Sequence, residues 1–337
     1  MTSIEVTTPQ ELIAALKAAR GGEVIAAQGA FGAVNLQGIR PPTQVTVNGT
    51  PGAHFERLDL TNCANLHFSS LSCWPLGRVA PPPPKPDGKP GGPAIPYLVS
   101  ADPTSANIEI SHSIFRGRKD SDGHPNWSRA DWQAAKIGAI LLFCPGGVIR
   151  SNKAIGVYFG FIVKGRSSEL FDNLVFGFAA DGLRVGADNC VAIGNRITDA
   201  VRIDGNHPDA FQAFKKGALL RGLVVKDNVV VEWTVRSNNP LRAKLQGIGM
   251  YDGPYSDIVI RGNRVAISSP NGIRINAASN LIIRGNHVRH VDRIRGDFPR
   301  IMLSNCSGMV DMSNNQAEKF VPATGANNTE PDYNEVY

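Results

Sequence analysis

The chain has 337 residues, 42% hydrophobic and 19% charged, with 35 glycines and 23 prolines, a composition that argues for short strands and tight corners and against long helices. Its formal charge of +6 comes with no Lys/Arg run, and aromatic residues are 7%; neither a nucleic-acid arm nor a base-stacking platform is indicated, and an acidic glycan fits the charge better. Five cysteines, Cys63, Cys73, Cys144, Cys190 and Cys306, are odd in number and lack CxxC spacing, which excludes a disulfide framework and a zinc knuckle and leaves buried fillers.

The N-terminal stretch MTSIEVTTPQELIAALKAAR has no apolar signal region, and no later segment approaches the roughly 18 apolar residues of a membrane span. The expectation is a soluble protein without a signal peptide or membrane contact: cytoplasmic, part of a phage virion, or secreted with its leader removed. Thr8, Pro9, Gln10 and Glu11 form a capping box with proline at the first helical position, and Leu12, Ile13, Leu16 and Ala19 make an apolar stripe. A short helix within residues 7–22 is predicted, plugging the open end of a solenoid.

From there one phrase recurs: an alternating apolar strand, an asparagine, and a second short apolar strand. Examples are GGVIRSNKAI, SELFDNLVF, NCVAIGNRI, GLVVKDNVVV, DIVIRGNRVAI and NLIIRGNHVRHV. The anchoring residues Asn152, Asn173, Asn195, Asn228, Asn263 and Asn286 are separated by 21, 22, 33, 35 and 23. A period near 22 with insertions predicts an all-β fold, a right-handed single-stranded parallel β-helix, in which asparagine occupies a left-handed corner and stacks on the asparagine of the next coil.

Each coil carries a further strand opened by a small residue: Gly160, Gly182, Ala210, Gly247 and Gly272. Aligned on that residue, Phe161, Leu183, Phe211, Ile248 and Ile273 face inward. Arg184, Gln212 and Arg274 then face outward, as do Lys164, Tyr251 and Asn276 in the next outward row, because side chains alternate along a strand. Loop excursions are expected at residues 79–96, 116–138 and 231–246, clustered beside the binding face. Trp127, Trp132 and Trp233 in them are either sugar-stacking platforms or pins that hold the loops down. One β-helix domain over residues 1–317 and a polar tail over 318–337 complete the organisation. The tail has no heptads to drive a homo-oligomer, so the oligomeric state stays open.

The sharpest departure from the repeat is DGNHPDAFQAF, residues 204–214, and such departures are where function is expected. His207 can serve as acid or base. Asp209 falls one coil beyond Asp181 at the equivalent position. Paired carboxylates either raise one pKa, supplying an acid, or hold a divalent cation such as calcium together. Simple corner hydrogen bonding by these residues is the alternative. Lys164 is a second candidate base; Arg184, Gln212, Tyr251, Asp252, Arg274, Asn276 and Trp233 are candidate substrate contacts.

The repeat and the opening ELIAALKAARGGEVIAAQGAF resemble the pectate-lyase-like β-helix superfamily, which includes polysaccharide lyases, polygalacturonase-type hydrolases and phage tailspike depolymerases. HPDAFQ is similar to the His-x-Asp-x-x-Gln signature of β-helix proteins of unassigned activity. The resemblance implies a substrate groove on the outer face of the strand holding Gln212, and cleavage of an acidic polysaccharide, with β-elimination ahead of hydrolysis. In a lyase, His207 or Lys164 would be the base, with Arg184 and Arg274 neutralising the uronate carboxylate. Hydrolysis would use Asp181 and Asp209, although the hydrolases' Gly-His-Gly and Arg-x-Lys motifs are missing. A non-catalytic glycan-binding tail or surface protein is the reading from a different class.

Overall fold

A computed structural model describes residues 3–77, 95–205, 207–235, 238–296, 298–322, 325 and 327–331. Most of the proline-rich excursion at 79–96 and much of the tail lie outside these residues. The helix spans Pro9–Ala18: Thr8 Oγ1 accepts from Glu11 N at 3.2 Å, and Glu11 Oε2 accepts from Thr8 N at 3.1 Å. Its apolar stripe places Leu12 and Leu16 against the first coils, fully buried, so the open end of the core is closed.

Beyond it the chain winds through coils of three strands. One coil reads Glu169–Phe171, Leu174–Phe178 and Asp181–Val185, and the next Val191–Ile193, Arg196–Ala200 and Asp209–Ala213. First strands stack on first strands in one sheet, while second and third strands share the other, always in parallel register. Parallel pairing of this kind buries one face of every strand, and a single continuous core of Leu, Ile, Val and Phe runs from Val6 to Ala317. The ladder extends past the expected boundary at 317: Lys319–Val321 pairs with Arg300–Ser304. Four of the five cysteines are buried in the body and all five are free. Among the described residues no helix is long and apolar enough to cross a membrane.

The corner between first and second strands is held by the asparagines. Asn195 N donates to Asn228 Oδ1 at 2.9 Å and its Nδ2 donates to Leu170 O at 2.9 Å, while its own Oδ1 accepts from Asn173 N at 3.0 Å. The same pattern runs from Asn152 through Asn173, Asn228, Asn263, Asn286 and Asn315 to Asn328. One expectation is corrected. The left-handed residue is the one before each asparagine: Ser151, Asp172, Gly194, Asp227, Gly262 and Gly285 have φ between 51° and 70°. That turn carries the asparagine side chain inward, where it meets backbone groups that no strand partner reaches.

The column of small residues also has a steric cause. A Cβ at Gly182 would lie 2.5 Å from Ile197 Cγ2 and 2.8 Å from Ala210 O, and one at Gly247 would lie 2.1 Å from Gly272 O. The small residue and the large apolar residue after it are both buried, so the strand is kinked there and the residue before the small one faces outward.

Asn195→Ala would orphan the Asn173 amide and the Leu170 carbonyl, at roughly 1–3 kcal/mol for each buried group. A loss of about 3 kcal/mol is expected in urea unfolding, with a smaller loss for Asn328→Ala at the end of the ladder.

Candidate active site

The kink decides which side chains reach the outer face of the third-strand sheet. In successive coils the residues before the small column are Phe159, Asp181, Asp209, Gln246 and Asn271. Asp181 stands in register with Asp209, and Asp209 with Gln246. Three residues on, the same face carries Arg184, Gln212, Gly249 and Arg274, also in register. Gln246, predicted only as the end of a loop, is therefore part of the site, and alignment on the small residue would have found it.

The two aspartates are among the most buried charged side chains in the molecule, at 3% exposure for Asp181 and 1% for Asp209. Arg184 donates from Nε and Nη2 to Asp181 Oδ2, and its guanidinium is sandwiched between Phe159 at 5.0 Å and Phe214 at 5.3 Å. Burial pushes the Asp181 carboxyl up to about 6, with Arg184 pulling the other way. Asp209 has no such cation in contact. Burial, reinforced by the Asp181 charge, pushes it up to about 8, so it carries a proton at neutral pH. Its Oδ1 is buried without a hydrogen-bond partner, and its Oδ2 lies 3.3 Å from Nδ1 of His207, an imidazole 61% exposed.

One coil further on, Tyr251 folds back along the face. Its hydroxyl donates to Gln246 Oε1, and its ring fits because residue 249 is glycine: a Cβ there would lie 2.3 Å from the ring. Burial and the neighbouring Asp209 keep the phenol protonated. The Arg274 guanidinium lies 5.6 Å from the Tyr251 ring centroid, with Nη1 3.4 Å from Asn271 Oδ1 and a buried, unpartnered Nε. Asp252 is exposed just beyond the strand Gln246–Met250. Tyr97, which the sequence reading missed, stacks on Phe159 with centroids 6.2 Å apart and extends the face toward the N-terminus.

Not every expected residue joins this cluster. Asn276 is occupied in the frame: it donates to Tyr251 O at 3.1 Å and accepts from Ser304 and Asn305 at 3.1 and 2.9 Å. Lys164 sits over the Phe143 ring at 5.0 Å, and burial lowers its ammonium pKa. Trp233 is not a sugar platform. It is 6% exposed and its indole N–H donates to Ala200 O at 2.8 Å. With Trp127, Trp132, Tyr158, Val201 and Leu241 it forms a second apolar core outside the coil. The loops emerge at one corner, between second and third strands, so their apolar residues meet there and wall the site on one side. Lys136, Gln133 and Tyr158 bind the Asp204 carboxylate at 2.7, 3.0 and 2.8 Å and tie the loop to the turn before His207.

Calcium requires roughly six to eight oxygen ligands. Asp181 and Asp209 supply too few oxygens for such a cage, and a guanidinium already occupies the Asp181 carboxylate. Among the described residues no three His, Cys, Asp or Glu side chains converge.

No family model and no curated protein matches the chain. Solved structures do. PfbA, a surface adhesin of Streptococcus pneumoniae, aligns at 12% identity over 98% of this chain and 94% of that one, with a TM-score of 0.53. The A-module of the mannuronan C-5 epimerase AlgE6 of Azotobacter vinelandii aligns at 10% identity over 96% and 90%, with a TM-score of 0.52. The shared fold is the parallel β-helix. An alginate lyase from Paenibacillus sp. str. FPU-7 also aligns, at 10% identity over 97% of each chain with a TM-score of 0.49. The adhesin and the epimerase differ in role, so the likeness is one of architecture, and function has to be read from this chain's own side chains.

The raised Asp209 pKa has a stability consequence. Between the ordinary aspartate value and about 8 the folded chain holds a proton that the unfolded chain has released, so stability falls as pH rises through that window. Asp209→Asn removes the dependence. Its melting temperature should exceed that of the parent at about pH 8, by an amount equivalent to a few kcal/mol, with the gap closing toward about pH 4.

Proposed function

We propose that the chain cleaves an acidic, uronate-containing polysaccharide by β-elimination on this face. The observation that carries the reading is the pairing of an exposed imidazole with a buried, proton-bearing carboxyl, His207 Nδ1 to Asp209 Oδ2 at 3.3 Å, on the face that carries Arg274 two coils further on. Arg274 meets the substrate carboxylate and neutralises it, which makes the adjacent ring proton acidic enough to remove. His207 takes that proton, oriented through Nδ1 by Asp209. The electron pair left on carbon forms the ring double bond as the glycosidic C–O bond breaks, and the Tyr251 hydroxyl protonates the departing oxygen. The proton on His207 returns to solvent and Tyr251 is reprotonated from it. Arg184 serves by holding Asp181; burial, reinforced by the Asp181 charge, keeps the neighbouring Asp209 protonated.

His207→Ala is expected to lower kcat by about 10²–10⁴-fold, and Arg274→Gln to lower kcat/KM by about 10²-fold on a polyuronate. Both are measured by the ultraviolet absorbance of the unsaturated uronate product. The register pairing of Asp181 and Asp209, both with raised pKa values, favours hydrolysis as the second reading. New reducing ends without ultraviolet absorbance would select it, and glycan binding with no cleavage would sink both.

A further inference from the structure

The repeat phrase contains more than the fold uses. The ladder requires the asparagine and a left-handed residue before it; its hydrogen bonds reach the flanking residues only through backbone carbonyls, as where Asn263 Nδ2 donates to Arg261 O at 3.2 Å, and make no use of their side chains. Yet the phrase reads RSNK at 150–153, IGNR at 193–196, KDNV at 226–229, RGNR at 261–264 and RGNH at 284–287. The first flank ends the first strand of the coil and the second opens the second strand, so they lie on the two sides of the asparagine corner, and all but the buried His287 reach the surface.

Register turns these cations into a ridge. Lys226 pairs with Arg261 and Arg261 with Arg284 on three successive rungs, about 4.8 Å apart. On the other flank Arg196 and Arg264 fall in one column, two rungs apart with Val229 between them, and Lys153 continues that column through Leu174. Arg150, Lys153, Arg261, Arg264 and Arg284 are exposed. The carboxylates at this corner are few: Asp227 pairs with Lys226 at 3.2 Å, and Asp172 occupies a rung that has no cation, between Phe171 and Leu174. Among the described residues Arg150, Arg261 and Arg284 form no ion pair. Like charges side by side in a sheet are destabilising, so this column is held against its own repulsion.

We infer that the asparagine corner carries a second binding site, a linear cationic ridge that holds a strand of acidic polysaccharide away from the site that cleaves it. A polyanion with a charge on each sugar matches a row of cations repeated at the rung spacing, and binding it relieves the repulsion within the row. The choice of polysaccharide as the occupant rests on the function proposed above; the ridge itself does not. The corner joins first and second strands, whereas the candidate active site lies on the third, so one chain can present both surfaces to polymer.

The test uses the full chain carrying Asp209→Asn, with and without Lys226→Gln, Arg261→Gln and Arg284→Gln together, titrated with polygalacturonate at several salt concentrations. The expected result is a loss of about tenfold or more in affinity for the triple variant, with the log–log salt slope falling by roughly two to three. In the Asp209-containing protein, the same triple should leave kcat/KM on short uronate oligomers unchanged. An Arg261→Lys/Arg284→Lys variant keeps the charge and should keep the affinity, which separates charge from folding. Unchanged polygalacturonate affinity in the triple variant overturns the ridge, and so does tighter binding of duplex DNA than of polygalacturonate at equal salt. Ridge binding without any cleavage by the parent would remove the proposed activity and leave the ridge standing.

Discussion

Everything in this molecule is referenced to the register of its parallel strands, and the register is enforced by buried asparagine amides. Each ladder asparagine spans three coils: it accepts from the amide of the one before, donates to the carbonyl of a strand behind, and presents its own amide to the one ahead. A slip of one residue would leave these groups unsatisfied in the core and turn the strand faces over. Because the ladder forbids that slip, residues far apart in the chain arrive in columns, and the columns form both the candidate active site and the basic ridge.

The site exploits a conflict between packing and electrostatics. The kink at the small-residue column turns Asp181 and Asp209 outward, but the loop core over that corner and the Tyr251 ring leave both carboxyls nearly dry. One carboxyl is compensated by Arg184; the other is compensated only by retaining its proton. Burial raises the pKa of both, the guanidinium in contact with Asp181 offsets more of it there, and the Asp181 charge adds to it at Asp209, so two identical side chains at equivalent positions are set apart, as acid–base chemistry requires.

The loops show how a solenoid builds a wall without a second domain. Their tryptophans have the residue type of sugar platforms, yet they are spent on the cluster that fixes the loops against the corner. An indole in a polar loop looks available in sequence; in space, the nearest apolar surface is the other loop. The exposed aromatic character of the face comes from smaller rings, Phe159, Phe214 and Tyr251, none of them fully buried and each set beside a cation or a glycine.

The sequence by itself determined the architecture, because solenoid periodicity is local and additive: each coil repeats the same short-range requirements, so Asn152 to Asn286 and the small residues at 160, 182, 210, 247 and 272 could be aligned without knowing what they touch. It also placed Asp181 beside Asp209 and located His207. Tertiary structure alone decided which residue before each asparagine takes the left-handed turn, that two consecutive residues face inward at the kink, and hence that Gln246 belongs to the site. It also decided that Trp233 is buried, that Asn276 is committed to the frame, and that Arg184 is bound to Asp181 while Arg274 keeps a buried Nε without a partner. Those outcomes depend on desolvation and on competition among neighbours from different coils, and neither quantity is written in the spacing of a single strand.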